Sequence, residues 1–260
     1  MFNILKTAII KSINLLGYDL KKRPRERRAT KKPKKSIFIE FIGPAGIGKT
    51  TLFNEIAGKT TGDWFHKGQN KSSIISKNAD KVDGGTHWKL LYNKAKNLEE
   101  RNLNGYRKIK LMKYFTNVAF NDFNMRHNEF KKGFLLEEGL CHNFSKEINK
   151  LSETEFRHLM SSRALIYLMP RDSMTVVQRI HKRKREEGRI VTHHIGLNDW
   201  ALKEIAENSV KSFNRLIERA EKLGIPCCRI FAENPTSKNA ETILAFEKQI
   251  ISPKSNYINK

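Results

Sequence analysis

The residues able to do chemistry fall in three places along this 260-residue chain. Gly43-Pro44-Ala45-Gly46-Ile47-Gly48-Lys49-Thr50, followed by Thr51, fits G-x-x-x-x-G-K-[ST] at every fixed position. Glycines at both ends let such a loop curl until consecutive backbone N–H groups converge on a phosphate, where a helix N-terminus adds its positive dipole end. Lys49 then reaches the outer phosphates of ATP, and the Thr50 hydroxyl ligates Mg²⁺. Further along, Phe134-Leu135-Leu136 runs into Glu137-Glu138. A short apolar run ending in carboxylates suits a strand tip that aims an acid at Mg²⁺ or at a proton on the attacking group. Side chains alternate along a strand, so the two acids cannot both face the loop; Glu137 is the preferred metal ligand or base and Glu138 the alternative. The third place is a basic cluster holding Arg179, Arg183, Arg185 and Arg189. An arginine fork donates bidentately and keeps its charge as a phosphoryl group transfers, so this segment reads as a lid closing over ATP, with Arg183 the candidate catalytic arginine. A plain exposed basic helix is the competing reading.

These residues need elements behind them. Ile37 to Ile42 reads as a buried strand and the residues from Thr51 to Ile56 as an amphipathic helix. Gly58 to Gly85 is polar and broken by glycines, a loop offering a substrate surface, with Lys71 and Lys77 exposed on it. Two helices follow, one through His87, Leu90, Leu91, Lys94 and Leu98, the other from Tyr106 to Phe130. The pattern assigns the aromatics of the second helix to the core, and Arg126 and His127 to solvent. Ser152-x-x-Glu155 matches a capping box, Ala164 to Met169 a buried strand stopped by Pro170, and Asp172-Ser173 a cap for the arginine-bearing helix. Trp200, Ile205, Val210, Phe213, Leu216, Ile217 and Ala220 mark a long helix ended by Gly224, before a last strand at Ile225 to Phe231. The turn from Ala232 to Thr236 either borders an adenine or is a plain turn, and a helix from Ser237 to Ile251 follows. Strands alternating with helices imply a three-layer α/β fold, a mainly parallel sheet of about five strands covered on both faces.

Composition sets limits. Fifty Lys and Arg against 27 Asp and Glu give a net charge of +23, which favours anionic partners. Of three cysteines, Cys227 and Cys228 are adjacent, so a disulfide framework is disfavoured and a reducing, cytoplasmic setting is expected. No apolar run is long enough to span a bilayer. Residues 1–20 read as a small amphipathic helix and 21–35 as a polybasic linker, ahead of a domain at 36–251 and a tail at 252–260. The leader, 1–35, suits peripheral contact with the inner face of an anionic membrane; nucleic-acid tracking and simple docking on the domain are the other readings.

The phosphate loop, the Leu135-Leu136-Glu137-Glu138 strand tip, and the strand to Pro170 with its following Arg179-x-x-x-Arg183 together resemble the thymidylate kinase-like group of P-loop nucleoside and nucleotide kinases. The resemblance spans about residues 36–251, and only the loop is specific to it. It implies an MgATP site at the loop, a phosphoryl acceptor opposite, Glu137 as the strand-end acid, and lid roles for Arg179, Arg183 and Arg189. The chain departs from the group in carrying Glu138 where thymidylate kinases carry arginine. The function expected is an ATP-dependent kinase acting on a small hydroxyl or phosphate acceptor, a nucleoside, nucleotide or sugar. A polynucleotide 5′-kinase and a regulatory P-loop ATPase working with a membrane or protein partner are the alternatives. No N-K-x-D tetrad or L-S-G-G-Q-like stretch points to a GTPase or a transporter ATPase.

Overall fold

In the computed structural model the described residues are 37–62, 64–65, 84–127, 133–188 and 196–251. The leader, the basic linker, the tail, Lys71, Lys77 and Arg189 lie outside them. Five parallel strands form one sheet in the order β2-β3-β1-β4-β5: β1 Phe38–Ile42, β2 Trp64–Phe65, β3 Gly133–Leu136, β4 Arg163–Met169 and β5 Cys227–Phe231. The helices, in chain order, are α1 Lys49–Ala57, α2 Gly85–Glu99, α3 Gly105–His127, α4 Leu140–Asn143, α5 Ser145–Ile148, α6 Glu153–Met160, α7 Ser173–Glu187, α8 Asp199–Lys222 and α9 Thr236–Ile251. Both sheet faces are covered, because parallel strands linked by helical crossovers must bury both. Ile39, Phe41, Leu135, Ile166 and Leu168 pack with α1, α7 and α9 residues on one face, and Ile42, Leu165 and Tyr167 with α4, α6 and α8 residues on the other.

The strand order explains where a site can form. The chain leaves β1 for β2 and β3 on one side, then crosses to β4 and β5 on the other, so the carboxyl end of β1 lies at a switch point. Ligand crevices of open α/β sheets form at such points. β1 and β3 are paired with Glu40 level with Leu136, so the Glu137-Glu138 pair emerges beside the start of the phosphate loop.

Local signals set several boundaries. Ser152 and Glu155 form the reciprocal capping box at α6, and Asp172 accepts from Met174 N to cap α7. The polar stretch after α1 holds a strand the sequence pattern misses, the two-residue β2. Its Trp64 lies against Gly133, where a Cβ would come within 2.4 Å of the indole ring. The buried Glu247 of α9 accepts from Trp64 Nε1 at 2.8 Å, Gly62 N at 2.7 Å and Thr61 Oγ1 at 2.9 Å, fixing this sheet edge.

Helix α3 corrects two expectations. Tyr106, Ile109, Tyr114 and Phe120 are exposed, Tyr106 to 74%, whereas Ala119, Asp122, Asn124 and Met125 turn inward. Arg126 is not solvated: it pairs with Asp122 at 3.1 Å and donates to the Leu159 carbonyl. The inward face is set by charge as well as by apolar area. Arg163 of β4 binds Glu40 of β1 and Asp122 of α3, and Asp122 also meets His87 at 2.9 Å, so a buried ionic network ties two strands to two helices. On α8, Trp200 and Ile205 are likewise exposed, while Leu202, Ala206, Phe213 and Leu216 supply the packed face.

Candidate active site

The loop from Gly43 to Gly48 joins β1 to α1 through three glycines with positive φ, Gly43 at 147°, Gly46 at 84° and Gly48 at 104°. At Gly43 the reason is contact as well as conformation: a Cβ would sit 2.3 Å from the Leu168 carbonyl oxygen of β4. Gly48 caps α1 without a side-chain hydrogen bond, and a Cβ there would meet the Arg179 guanidinium at 2.8 Å. The amide groups that open α1 therefore have no side-chain cap to satisfy them, the condition under which a helix start receives an anion.

Lys49, the first residue of α1, is 4% exposed and folds back on the loop. Its Nζ donates to the Gly43 carbonyl at 3.1 Å and the Pro44 carbonyl at 3.0 Å, and lies 3.3 Å from Glu138 Oε1. Burial pushes the Lys49 ammonium below the ordinary lysine value, and the Glu138 carboxylate opposes that shift. Next in sequence, the Thr50 hydroxyl donates to Glu137 Oε1. The two acids at the β3 tip thus divide the loop between them, Glu137 to the hydroxyl and Glu138 to the ammonium. Thr51 is exposed one residue further on, while Pro44 and Ile47 are buried and Ala45 is half-buried within the loop.

Arg179 of α7 belongs to the loop itself: one guanidinium nitrogen donates to the Ile47 carbonyl and the other to the Ala232 carbonyl at 2.6 Å. It braces the phosphate loop against the turn after β5. That turn is ordered by Asn239, which donates to the Phe231 carbonyl at 2.8 Å, and by Glu233, which accepts from Arg171 N at 2.9 Å. Arg183 and Arg185 lie one and two turns further along α7 and are exposed.

Sequence reasoning did not single out His142. Its Nε2 lies 3.5 Å from Glu138 Oε1, its ring stacks on Phe213 with centroids 5.6 Å apart, and its backbone N donates to Glu40 Oε1 at 2.8 Å. Burial, then the charges of Lys49 and Lys94, push the imidazole well below the ordinary histidine value, so it is neutral. The i, i+4 spacing from Glu138 to His142 was the signal that could have found it.

Oxygen donors suit a hard cation such as Mg²⁺, and the Thr50 hydroxyl beside the Glu137 carboxylate offers two. Among the described residues no group of three or more His, Cys, Asp or Glu side chains forms a separate metal site. The donor set fits an ion completed by ligand phosphates and water.

No family model and no curated protein matches the chain. Among solved structures it is similar to a deoxyadenosine kinase from M. mycoides bound to dCMP and dCDP, at 16% identity over 80% of this chain and 97% of that one, with a TM-score of 0.44. The same enzyme with dCTP gives 15% identity and a TM-score of 0.43, and with dATP 17% and 0.38, at the same coverage. These neighbours are deoxyadenosine kinases rather than thymidylate kinases. At this level of likeness, any functional reading rests on the geometry of the site.

Proposed function

We propose that the chain is an ATP-dependent phosphotransferase that moves the γ-phosphoryl group to a hydroxyl or phosphate of a small acceptor, a nucleoside, nucleotide or sugar. The observation that carries this reading is the meeting, at the mouth of one glycine loop, of an ammonium, a hydroxyl and two carboxylates: Lys49, Thr50, Glu137 and Glu138. Phosphoryl transfer needs little covalent chemistry from the protein and depends on positioning and charge compensation.

Each residue then has a task. Backbone N–H groups at the start of α1 hold the phosphates, and Lys49 offsets charge on the outer ones. Thr50 and Glu137 would hold Mg²⁺, which would supply positive charge to offset that of the phosphates. Glu137 or Glu138 orients the acceptor. Arg179 keeps the loop in register with the turn after β5, and Arg183, Arg185 and Arg189 form a basic segment that closes over ATP.

A screen of nucleosides, nucleotides and sugars with γ-labelled ATP, run beside Lys49→Ala, tests the reading. Label should appear on one class of acceptor and fall about 100-fold or more in the variant, the scale for losing one preorganised charge-stabilising donor. Hydrolysis that no acceptor changes would overturn the kinase assignment in favour of an ATPase. Label transferred to oligonucleotide 5′ ends alone would replace the small acceptor with a polynucleotide.

A further inference from the structure

We infer that Glu138 is a latch on Lys49 and that His142 is its catch: the carboxylate holds the loop lysine away from the phosphate position until a phosphate displaces it, and His142 then keeps the released carboxylate. The inference rests on the nucleotide reading of the loop given above and adds to it two positioning residues, neither of which has to touch the reacting atoms.

The bonding of Lys49 carries the argument. An ammonium has three donors and no acceptor. Among the described residues the partners within reach of Nζ are the Gly43 carbonyl, the Pro44 carbonyl and Glu138 Oε1, at 3.1, 3.0 and 3.3 Å. The lysine is therefore saturated by its own loop and by one acid, and it cannot serve a phosphate without giving up at least one of these bonds. The carbonyls are fixed in the backbone of the loop. Glu138 is the exchangeable partner, because its side chain is 34% exposed and follows the end of β3 rather than lying within it.

Releasing Glu138 has a cost that something must offset, since a carboxylate left facing polyphosphate repels it. The same Oε1 that faces Lys49 lies 3.5 Å from His142 Nε2, so one oxygen is shared between lysine and imidazole. The imidazole is neutral and the buried His142 Nδ1 has no hydrogen-bond partner among the described residues, which leaves the single ring proton on Nε2, facing the acid. The ring has little freedom to follow Glu138 elsewhere: it is stacked on Phe213, and its backbone N is bound to Glu40, itself locked to Arg163 in the core. A fixed donor beside a partly exposed carboxylate is what a catch requires.

Two readouts separate this inference from the nucleotide reading. The first needs no nucleotide: pulse acetylation of the full chain with an amine-reactive ester, with Lys49 followed by mass spectrometry against the exposed Lys59. Lys49 should label slowly in the wild type and about tenfold faster in Glu138→Gln, which keeps the side chain's shape and removes its charge. The second is calorimetric titration with MgADP. Glu138→Gln should bind about tenfold more tightly, since no ion pair has to break, and His142→Phe, which keeps the stacking on Phe213 and loses the donor, should bind more weakly than wild type. Wild-type labelling and affinity in Glu138→Gln would overturn the latch, and unchanged affinity in His142→Phe would overturn the catch. If no protein takes MgADP while Lys49 of Glu138→Gln labels faster, the latch stands and the nucleotide reading falls.

Discussion

Buried between Arg163, Arg126 and His87, Asp122 is the carboxylate on which the ionic network turns. Burial alone would raise its pKa, yet the charges of Arg163, His87 and Arg126 hold it well below the usual carboxylate range. Glu40 behaves oppositely: burial dominates and raises it, although Arg163 pulls the other way. The sign for Asp122 follows from linkage. A carboxylate whose folded pKa is depressed contributes stability above its unfolded value, about 3.9, and that contribution is lost as pH falls toward the folded value. Asp122→Asn should cost about 3 kcal/mol at pH 7, because it leaves buried arginine charge uncompensated. In urea denaturation the gap between wild type and variant should narrow below about pH 4, while Glu40, present in both proteins, largely cancels from the comparison. A gap unchanged down to about pH 2 would mean that the ion pairs contribute little and the loss is one of shape.

At the scale of elements, the phosphate loop is positioned from two sides. β4 presses the Leu168 carbonyl against Gly43, and α7 ties Ile47 to the turn after β5 through Arg179. Gly43→Ala adds a Cβ 2.3 Å from a backbone oxygen, at a φ of 147°. No flexible side chain is there to give way, so β1 and β4 must part or the loop must change path. The variant should lose several kcal/mol of stability by thermal denaturation and show no calorimetric heat with MgADP. Retained binding at wild-type stability would show that the loop tolerates a different path. Much of this was readable beforehand: the loop, the strands on either side of it and the caps at Ser152 and Asp172 all follow from turn chemistry and periodicity. The brace made by Arg179 was not, because the sequence shows a basic helix without showing which carbonyls it reaches.

Across the whole molecule, the edge of the sheet depends on a residue far away in sequence. Glu247 of α9 accepts from Thr61, Gly62 and Trp64, which precede it by more than 180 residues. Glu247→Ala leaves four donors from these three residues without their acceptor, and a loss of about 2 to 4 kcal/mol is expected from unfolding curves. Of the three tryptophans, Trp88 and Trp200 are exposed at 71% and 72%, so the blue component of the emission belongs to Trp64 at 6%. That component should shift to the red in the variant. An unchanged spectrum with unchanged stability would show that strand pairing with β3 alone holds the edge.

By itself the sequence determined the period of the longer strands and helices, though not β2 or the one-turn helices α4 and α5, together with the loop that glycine and lysine spacing requires and the acids at the end of β3, since these are local properties of composition and order. It also assigned the aromatics of α3 to the core and Arg126 to water; Phe115 does pack against the core, but tertiary structure left Tyr106, Tyr114 and Phe120 outside and paired Arg126 with the buried Asp122. The reason is that burial depends on what lies opposite. Arg163 arrives from β4 to pair with Asp122, which turns that side of α3 inward and leaves Tyr106, Ile109 and Phe120 outside. The division of labour between Glu137 and Glu138 was decided in the same way: alternation along a strand separates their directions, but only the fold brings Thr50 to one and Lys49 and His142 to the other.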